Sequence, residues 1–391
     1  MRQSFKLLTS VLILSFASVG CSNDDKGTVP PVQPTAEDDR QVDENSNPKR
    51  FSVVTYNLEN LFDANHDEGK NDYQFLPLGH PEKKAGCMKS SKRYRKYCLE
   101  TNWTDEVVDQ KIAQLRKALM KSGAPDVVAV QEVENAGVLA RLAAAMGSEY
   151  TSILVEGQDK RGIDTGMIYK ESKLTYKSHV SRTIVGEHFK TKPTRDVLTA
   201  YFELKADTAD HKKTIAVYSN HWPSQASKAP VRVTTAEQVK DFIIADQAKY
   251  GVTNLYVIMT GDFNVVPKDH PHPFHEVVFP FLTDVRDYAE SKGQDMRKQA
   301  FGTYFYAREM AWNKLDRFFV SENLIDDEGL DFVVGSYQIM NYKFLTKTFV
   351  YNRADLPFYG SVVADTPMRF DFKTSEGASD HFGVRAEFEL K

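Results

Sequence analysis

The chain has 391 residues, of which 41% are hydrophobic and 12% aromatic, and its formal net charge is −4. A chain of this length and apolar content can bury one large core or two medium ones, so its composition excludes a disordered protein. Residues 51–391 carry a net charge of only −3, which excludes a globally basic protein that attracts polyanions over long range.

The first twenty residues have the pattern of an export signal. Arg2 and Lys6 precede the apolar run LLTSVLILSFASV, which is too short to span a membrane. The next residues, SVGC, resemble the lipobox of bacterial lipoproteins, although Ser18 stands where that motif prefers leucine. The resemblance implies an exported bacterial protein, acylated at Cys21 and anchored by lipid in the inner or outer membrane. The alternative is ordinary secretory cleavage, which would release a periplasmic or secreted protein.

Residues 21–50 predict a flexible tether. They are rich in proline and charge and almost free of large apolar side chains, so burial cannot offset the entropy lost on ordering. We therefore expect one folded domain over residues 51–391. No second apolar segment is long enough to cross a bilayer, so we expect no transmembrane helix.

Strands and helices alternate through this domain. Apolar periodicity predicts strands at 51–56, 126–130, 151–156, 163–169, 198–204, 214–219 and 255–259, and later in GTYFY, KLDRFFVS and GVRAEFEL. Helices are predicted from about 104 to the stop at Gly123 and Pro125, and at 135–146 and 231–249. This order favours an α/β layered sandwich with mixed sheets at its centre.

A long polar insertion separates the first strand from the first helix, over about residues 64–102. It contains Cys87 and Cys98, which favour a disulfide in an exported protein, with two free thiols as the alternative. It is also basic, and two tyrosines are interleaved with seven cations. Such a run either binds a phosphate backbone or is a solvated loop. The residues are Lys83, Lys84, Lys89, Lys92, Arg93, Arg95, Lys96, Tyr94 and Tyr97.

Polar side chains suited to metal or phosphate chemistry stand where several predicted strands end. A single such residue would indicate only a turn, but side chains beyond the ends of different strands can converge on one ligand. The residues are Asn57, Glu132, His221, Asp262, Asn264, Asp380 and His381. In TGDFN, Asp262 and Asn264 are two residues apart and would share one face of an extended segment, while Phe263 packs inward.

Six motifs in order resemble the signature of the endonuclease/exonuclease/phosphatase superfamily, the deoxyribonuclease-I-like enzymes. They are TYNLEN, VVAVQEVEN, SNHWPS, TGDFN, KLDRFFVS and ASDHFGV, and they span nearly all of the folded chain. The resemblance implies a four-layer sandwich of two mixed sheets packed face to face and flanked by helices. It also implies a divalent-metal-dependent hydrolase of phosphate esters.

The resemblance further assigns roles to the strand-end residues. Glu132, Asn57 and Asp380 would hold the cation, which is usually Mg²⁺, with Mn²⁺ or Ca²⁺ as alternatives. The other assigned residues would be catalytic. Asp262 would orient the attacking water, and either Asp262 or the Asp316–His381 pair would activate it. Asn264 and His381 would bind phosphoryl oxygens, and His221 would stabilise charge or protonate the leaving oxygen. Asp316 would fix the tautomer of His381.

The resemblance is less specific for three further residues. In KRGIDTGMIYK, Arg161 would face the phosphates and Asp164 would pair with His221. Tyr304, or alternatively Tyr306, would be the tyrosine of the site. Surface charge and core packing explain these three equally well.

Export and the basic insertion favour an exported nuclease acting on DNA or RNA as a monomer. A phospholipid phosphodiesterase, a phosphomonoesterase and a non-catalytic binding module remain the alternatives. A sphingomyelinase-like enzyme would be expected to expose an apolar hairpin, and no such stretch stands out in the sequence.

Overall fold

The computed structural model describes residues 47–121, 123–208, 212–352 and 360–391. The predicted export signal, Cys21 and the predicted tether up to residue 46 lie outside the described residues. The last tether residues contact the C-terminal strand, because the Asn47 side chain donates a hydrogen bond to Glu389 at 2.5 Å. The first strand begins at Arg50, one residue before the predicted start of the domain.

The strands of the described residues alternate with helices in the first two thirds of the chain. In chain order they are β1 (Arg50–Leu61), β2 (Val127–Val133), β3 (Tyr150–Leu154), β4 (Asp164–Lys170), β5 (Leu174–Arg182), β6 (Val197–Leu204), β7 (Thr214–His221), β8 (Leu255–Asp262), β9 (Thr283–Asp284), β10 (Tyr304–Tyr306), β11 (Ala311–Asn313), β12 (Asp316–Val320), β13 (Leu330–Phe332), β14 (Gln338–Ile339), β15 (Thr346–Val350), β16 (Val362–Pro367) and β17 (Val384–Leu390).

The α-helices begin and end at local signals. Asn135, for example, caps the fourth helix by accepting a hydrogen bond from the backbone N–H of Val138. The helices are α1 (Lys83–Lys89), α2 (Lys92–Glu100), α3 (Asp105–Lys121), α4 (Ala136–Met146), α5 (Glu187–Thr191), α6 (Ala229–Tyr250) and α7 (Val285–Ser291). Short 3₁₀ turns lie at Tyr73–Phe75, Val252–Asn254, Met296–Lys298, Glu322–Leu324 and Lys343–Leu345, and a π turn at Phe274–Val278. Among the described residues, none of these helices combines the length and the apolar character that a membrane span needs.

Two mixed sheets form the centre of the molecule. The first has the order β13-β17-β1-β2-β4-β3, with β14 paired to β17, and the second has the order β5-β6-β7-β8-β12-β9. Each sheet contains a parallel pair, β1 with β2 in the first and β7 with β8 in the second, and its other pairs are antiparallel. The carboxyl ends of the parallel pairs therefore carry Asn57, Glu132, His221 and Asp262.

The sheets pack face to face, and helices cover their outer faces. Strands β1, β2 and β4 contact β6, β7, β8 and β12 of the other sheet, and apolar side chains from both sheets share one core. Helices α3 and α4 pack on the first sheet, and α6 packs on the second over a separate apolar cluster. The predicted fold class, a sandwich of two mixed sheets flanked by helices, is confirmed.

The insertion is more ordered than a solvated loop. It contains α1 and α2, which a disulfide joins between Cys87 and Cys98. Lys83 is buried and donates hydrogen bonds to the carbonyl oxygens of Tyr73, Gln74 and Leu76 at 2.8–3.2 Å. Lys83 therefore holds the insertion together and does not reach a phosphate.

A hairpin of β15 and β16 also departs from the sequence analysis, which found no such element. Its strands pair in antiparallel register, and Val350 and Val362, which face each other, are both largely exposed. Residues 353–359, between the two strands, lie outside the described part of the chain.

Candidate active site

A cavity of about 1100 Å³ opens at the end of the sandwich where the parallel strand pairs finish. Eight of the residues predicted from the sequence line this cavity: Glu132, Arg161, His221, Asp262, Asn264, Tyr304, Asp380 and His381. Asn57 and Asp316 lie directly behind its wall, with 1% and 0% of their surface exposed. Residues that are hundreds of positions apart in sequence thus meet at one place.

Asp262 and Asn264 are brought together by a turn, which differs from the extended geometry that the sequence analysis expected. Asn264 has a left-handed backbone, with φ of 52°. Its N–H donates to one oxygen of Asp262 at 2.9 Å, and its side-chain amide donates to the other at 3.1 Å. Phe263 points into the core as predicted, against the rings of Trp222 and Phe319 at 4.9 and 5.2 Å. The turn holds the Asp262 carboxylate rigidly at the strand end.

His381 is held by Asp316 across the cavity wall. Nδ1 of His381 lies 2.7 Å from Oδ2 of Asp316, and Nε2 lies 3.9 Å from Oδ2 of Asp262. The backbone N–H of Asp316 donates to Oγ1 of Thr303, which fixes the start of β12 beside Asp262. Burial alone would lower the pKa of His381, but the charges of Asp316 and Asp262 outweigh it and hold this pKa well above its ordinary value. His381 is therefore an imidazolium at neutral pH.

The pKa of His221 is shifted in the direction opposite to that of His381. Burial, followed by the positive charges of Arg195 and Arg161, holds the pKa of His221 well below its ordinary value. Its Nε2 lies 3.6 Å from Asp262 Oδ2 and 3.8 Å from Glu132 Oε1. A neutral imidazole at this position can donate one hydrogen bond into the cavity without adding charge.

Glu132 stands in a β-bulge. The pairing of β2 shifts register between Gln131 and Val133, and Glu132 between them has a left-handed φ of 60°. A bulge redirects one side chain without ending the strand. The apolar run of β2 therefore stays buried while the carboxylate of Glu132 turns into the cavity.

Asn57 is held in place by hydrogen bonds to three other parts of the site. The side-chain amide of Asn57 donates to Asp262 at 3.1 Å, and its carbonyl oxygen accepts from the N–H of Glu59 at 2.9 Å. Ser379 links the two motifs, because its hydroxyl donates to the backbone oxygen of Asn57 at 2.6 Å and accepts from the N–H of His381. Strand β1 and the ASDHFGV segment are thus held in fixed register.

Four residues of the site fit a divalent cation. Burial, and then the charge of Asp380, raises the pKa of Glu59, and one oxygen of this carboxylate is buried without a hydrogen-bond partner among the described residues. Hard cations prefer carboxylate and amide oxygens. Glu59, Glu132, Asp380 and Asn57 carry such oxygens and would hold the ion, and in this structure Arg369 pairs with Glu59 and Asp380.

Among the described residues, the one group of three or more carboxylate or histidine side chains whose ligand atoms all lie within 4.8 Å of one another consists of Asp262, Asp316 and His381. In this group Asp316 and Nδ1 of His381 already satisfy each other at 2.7 Å. We therefore interpret it as the group that handles the water and the phosphoryl oxygens, beside the oxygen-rich cation site.

Two of the less specific sequence predictions have different outcomes. Arg161 lines the cavity with a side chain that is 55% exposed, and its Nε lies 3.6 Å from Oδ1 of Asp159, with which it forms an ion pair. Asp164 does not reach the cavity in the described structure, and it does not pair with His221. Its carboxylate is buried and accepts a hydrogen bond from the N–H of Gly157 at 2.9 Å. The role expected for Asp164 in substrate binding is therefore corrected to a structural one.

Four residues of the site were missed by the sequence analysis. Arg369 donates to Glu59 at 2.7 Å and also to Asp380, and Lys111 is buried behind them. Arg195 lines the cavity and donates to the backbone oxygen of Trp222 at 2.7 Å. Glu59 lies within TYNLEN, so it could have been predicted from that motif. The other three residues lie outside all six motifs.

Fold and site together define a hydrolase of phosphate esters that works with a divalent cation: paired carboxylates and histidines meet at the strand ends of a four-layer sandwich. The sequence model of the Endonuclease/Exonuclease/phosphatase family matches residues 52–389. The chain belongs to this family, whose members are metal-dependent phosphoric ester hydrolases.

Solved structures resemble the chain over most of its length, at low sequence identity. Humanized TDP2 of D. rerio is 14% identical at a TM-score of 0.50, over 87% of this chain and 99% of that one. A mannosyl-6-phosphatase of Bacteroides thetaiotaomicron is 16% identical at 0.49, over 86% and 99%. The human Nocturnin catalytic domain is 12% identical at 0.49, over 88% and 94%. No curated protein matches the chain.

Proposed function

We propose that the chain is an exported nuclease, a phosphodiesterase that cleaves DNA or RNA with a divalent cation. The observation that carries this proposal is the composition of the cavity wall beyond the catalytic residues. Lys160, Arg161, Lys192 and Arg195 line it, and Tyr304, Tyr306 and Trp312 supply aromatic surface on the same cavity. Cations that meet phosphates, next to rings that stack on bases, are the usual means of binding a nucleic-acid strand.

The size of the cavity supports a polymeric substrate. Its volume of about 1100 Å³ exceeds what a single phosphate group fills, and its wall carries these four cations in addition to Glu132, Asp262 and Asp380. The net charge of residues 51–391 is slightly negative. Binding of a polyanion therefore depends on these local cations and weakens with salt.

The chemistry follows from the protonation of the residues. A divalent cation at Glu132, Asn57, Asp380 and Glu59 would neutralise charge on the phosphoryl group. Asp262 orients the attacking water and takes its proton, because burial raises the pKa of Asp262 to about 7, although His381 opposes this rise. His381 already carries a proton, so it binds a phosphoryl oxygen together with Asn264. The water oxygen bonds to phosphorus, and the bond to the leaving oxygen breaks.

The substrate class is tested by comparing hydrolysis of five substrates by the purified full-length protein. These are single-stranded DNA, RNA, bis(p-nitrophenyl) phosphate, p-nitrophenyl phosphate and sphingomyelin, each with Mg²⁺ and with chelator. We expect cleavage of a polynucleotide and of the small diester, and loss of both with chelator.

Faster hydrolysis of p-nitrophenyl phosphate than of the other substrates would indicate a phosphatase in place of a nuclease. Faster hydrolysis of sphingomyelin would indicate a lipid phosphodiesterase. Hydrolysis of none of the five substrates would leave a binding module. All residues of the cavity come from one chain, so we also propose that the monomer is active; gel filtration of the active protein showing only a dimer would contradict this.

We further propose that the protein is exported and anchored by lipid at Cys21. The N-terminal pattern supports this, and so does the disulfide between Cys87 and Cys98, since such bonds persist in oxidising compartments.

Expression of the full-length protein in a Gram-negative host, with mass spectrometry of the mature N-terminus, tests the anchor. We expect acylated Cys21 in the membrane fraction, and Cys21→Ser should be soluble and unacylated. An unmodified mature N-terminus in the soluble fraction of the unaltered protein would instead indicate ordinary secretion.

A further inference from the structure

A second cavity of about 320 Å³ adjoins the catalytic one. Tyr304, Tyr306 and Asp380 line both cavities, so these residues form the boundary between the two. The ring of Tyr304 lies 4.9 Å from the ring of His381, which places the boundary beside the catalytic centre. A ligand long enough to pass this boundary would enter the second cavity.

Three separate parts of the chain build the second cavity. Helix α2 of the insertion contributes Arg93, the segment after β10 contributes Arg308, and β15 contributes Lys347. Of the basic run predicted to meet phosphates, Arg93 is the residue that reaches a cavity in the described structure. The disulfide between Cys87 and Cys98 holds α2 in place.

Among the described residues, the cations that line this cavity outnumber its one carboxylate, Asp380. Arg369 lines it but is paired with Glu59 and Asp380. Arg93, Arg308 and Lys347 are exposed, and among the described residues none of the three forms an ion pair. Three cations without acidic partners favour an anionic ligand.

Aromatic side chains form the rest of the wall. Phe305, Tyr306 and Phe349 line the cavity, and the rings of Phe305 and Phe349 are 5.5 Å apart. Rings of this kind stack on unpaired bases, whereas the base faces of a duplex are covered by their neighbours.

We infer that the second cavity binds the flanking phosphate and base of a single-stranded polynucleotide whose scissile phosphate lies at His381. This inference rests on the proposed nuclease function and narrows it. The insertion and the β15–β16 hairpin would then select single strands over small phosphate esters.

The double variant Arg93→Ala/Lys347→Ala tests the inference in the full-length protein. Its matched control is Lys84→Ala/Lys373→Ala, which removes two exposed cations that line neither cavity. Each protein is assayed on a single-stranded oligonucleotide, on the duplex of the same sequence, on bis(p-nitrophenyl) phosphate and on sphingomyelin vesicles, over a series of salt concentrations.

We expect the first double variant to lower the ratio of kcat/KM for the oligonucleotide to that for the small diester about tenfold or more. The slope of log(kcat/KM) for the single strand against the logarithm of the salt concentration should become shallower by about 1.4, because each lost phosphate contact removes about 0.7 from that slope. The control should keep the ratio and the slope of the unaltered protein. The unaltered protein should cleave the single strand faster than the duplex.

Two results would overturn the inference while the nuclease function stands: equal behaviour of the two double variants on single-stranded DNA, or equal cleavage of single strand and duplex. If the unaltered protein hydrolyses the small diester but no polynucleotide, the proposed function itself fails. A selective loss on sphingomyelin vesicles in the first double variant would assign the cavity to a lipid headgroup and also overturn the inference.

Discussion

The carboxylate of Asp164 is held almost entirely out of water, with 2% of the residue exposed. One of its oxygens accepts from the N–H of Gly157, and the other has no partner among the described residues. Burial raises the pKa of Asp164 to about 7. The folded protein therefore keeps a proton there that the unfolded chain releases near pH 4. Stability consequently falls as pH rises from about 4 to about 7 and stays low above that range.

The substitution Asp164→Asn should remove the loss of folding stability that burial of the Asp164 carboxylate causes above about pH 4. The amide still accepts from Gly157 but carries no charge at any pH, so we expect the variant to be about 2 kcal/mol more stable than the unaltered protein at pH 8. The gain should be smaller at pH 5. Urea denaturation at the two pH values measures it, with the exposed Asp241→Asn as control. If the variant instead has unchanged stability and a lower kcat/KM, Asp164 would act in substrate binding and not in the structure.

Among the described residues, eight non-glycine residues have a left-handed backbone, and three of them belong to the site. Glu59, Glu132 and Asn264 have φ of 50°, 60° and 52°. For a residue other than glycine this conformation costs about 1–2 kcal/mol, less for asparagine. The strand ends can hold it because buried apolar residues on both sides, such as Val133 and Phe263, fix the chain. Strained backbone thus aims these side chains at the cavity.

At the scale of the elements, the strands and helices with a clear apolar pattern were predictable. Strand β2 is a buried apolar run, and α3 has an apolar stripe that faces the first sheet. Strand β5 was not predicted, because most of its residues are only partly buried and its pattern does not alternate clearly. Helix α2 was not predicted either, since Cys98 is its one buried residue and the disulfide stabilises it in place of an apolar stripe.

The elements also explain which site residues could be predicted. Asn57, Glu132, His221 and Asp262 stand at or near the carboxyl ends of strands, where a local pattern marks them. Arg369 lies after the β15–β16 hairpin, and Lys111 lies on the buried face of α3. Arg369 contacts Glu59 and Asp380, and Lys111 donates to the backbone oxygen of Ala378. These contacts depend on how distant segments pack, so no local sequence pattern predicts them.

Asn264 shows the limit of the periodicity argument. Because alternate residues of a strand share a face, the sequence predicts that Asn264 lies beside Asp262, and in the structure the two side chains do lie together. The cause is different, since β8 ends at Asp262 and a turn closed by two hydrogen bonds brings Asn264 back. The predicted contact is therefore present, but a turn produces it and not the alternation of side chains along a strand.

At the scale of the whole molecule, two sheets from different parts of the chain meet with their functional ends at one side of the sandwich. The first sheet supplies Asn57 and Glu132, and the second supplies His221, Asp262 and Asp316. This division suggests two sets of residues with different tasks. Glu132 belongs to the set that would hold the cation, whereas Asp262 belongs to the set proposed to act on the water. The two tasks can be separated by experiment.

The Mg²⁺ dependence of bis(p-nitrophenyl) phosphate hydrolysis, compared among the unaltered protein, Glu132→Gln and Asp262→Asn, tests this account most directly. Loss of a charged ligand should raise the Mg²⁺ concentration for half-maximal rate about 10–100-fold in Glu132→Gln. Loss of the base should lower kcat about 10²–10⁴-fold in Asp262→Asn without shifting that midpoint in the same way. Hydrolysis that persists in chelator, or a Glu132→Gln midpoint equal to that of the unaltered protein, would contradict the account.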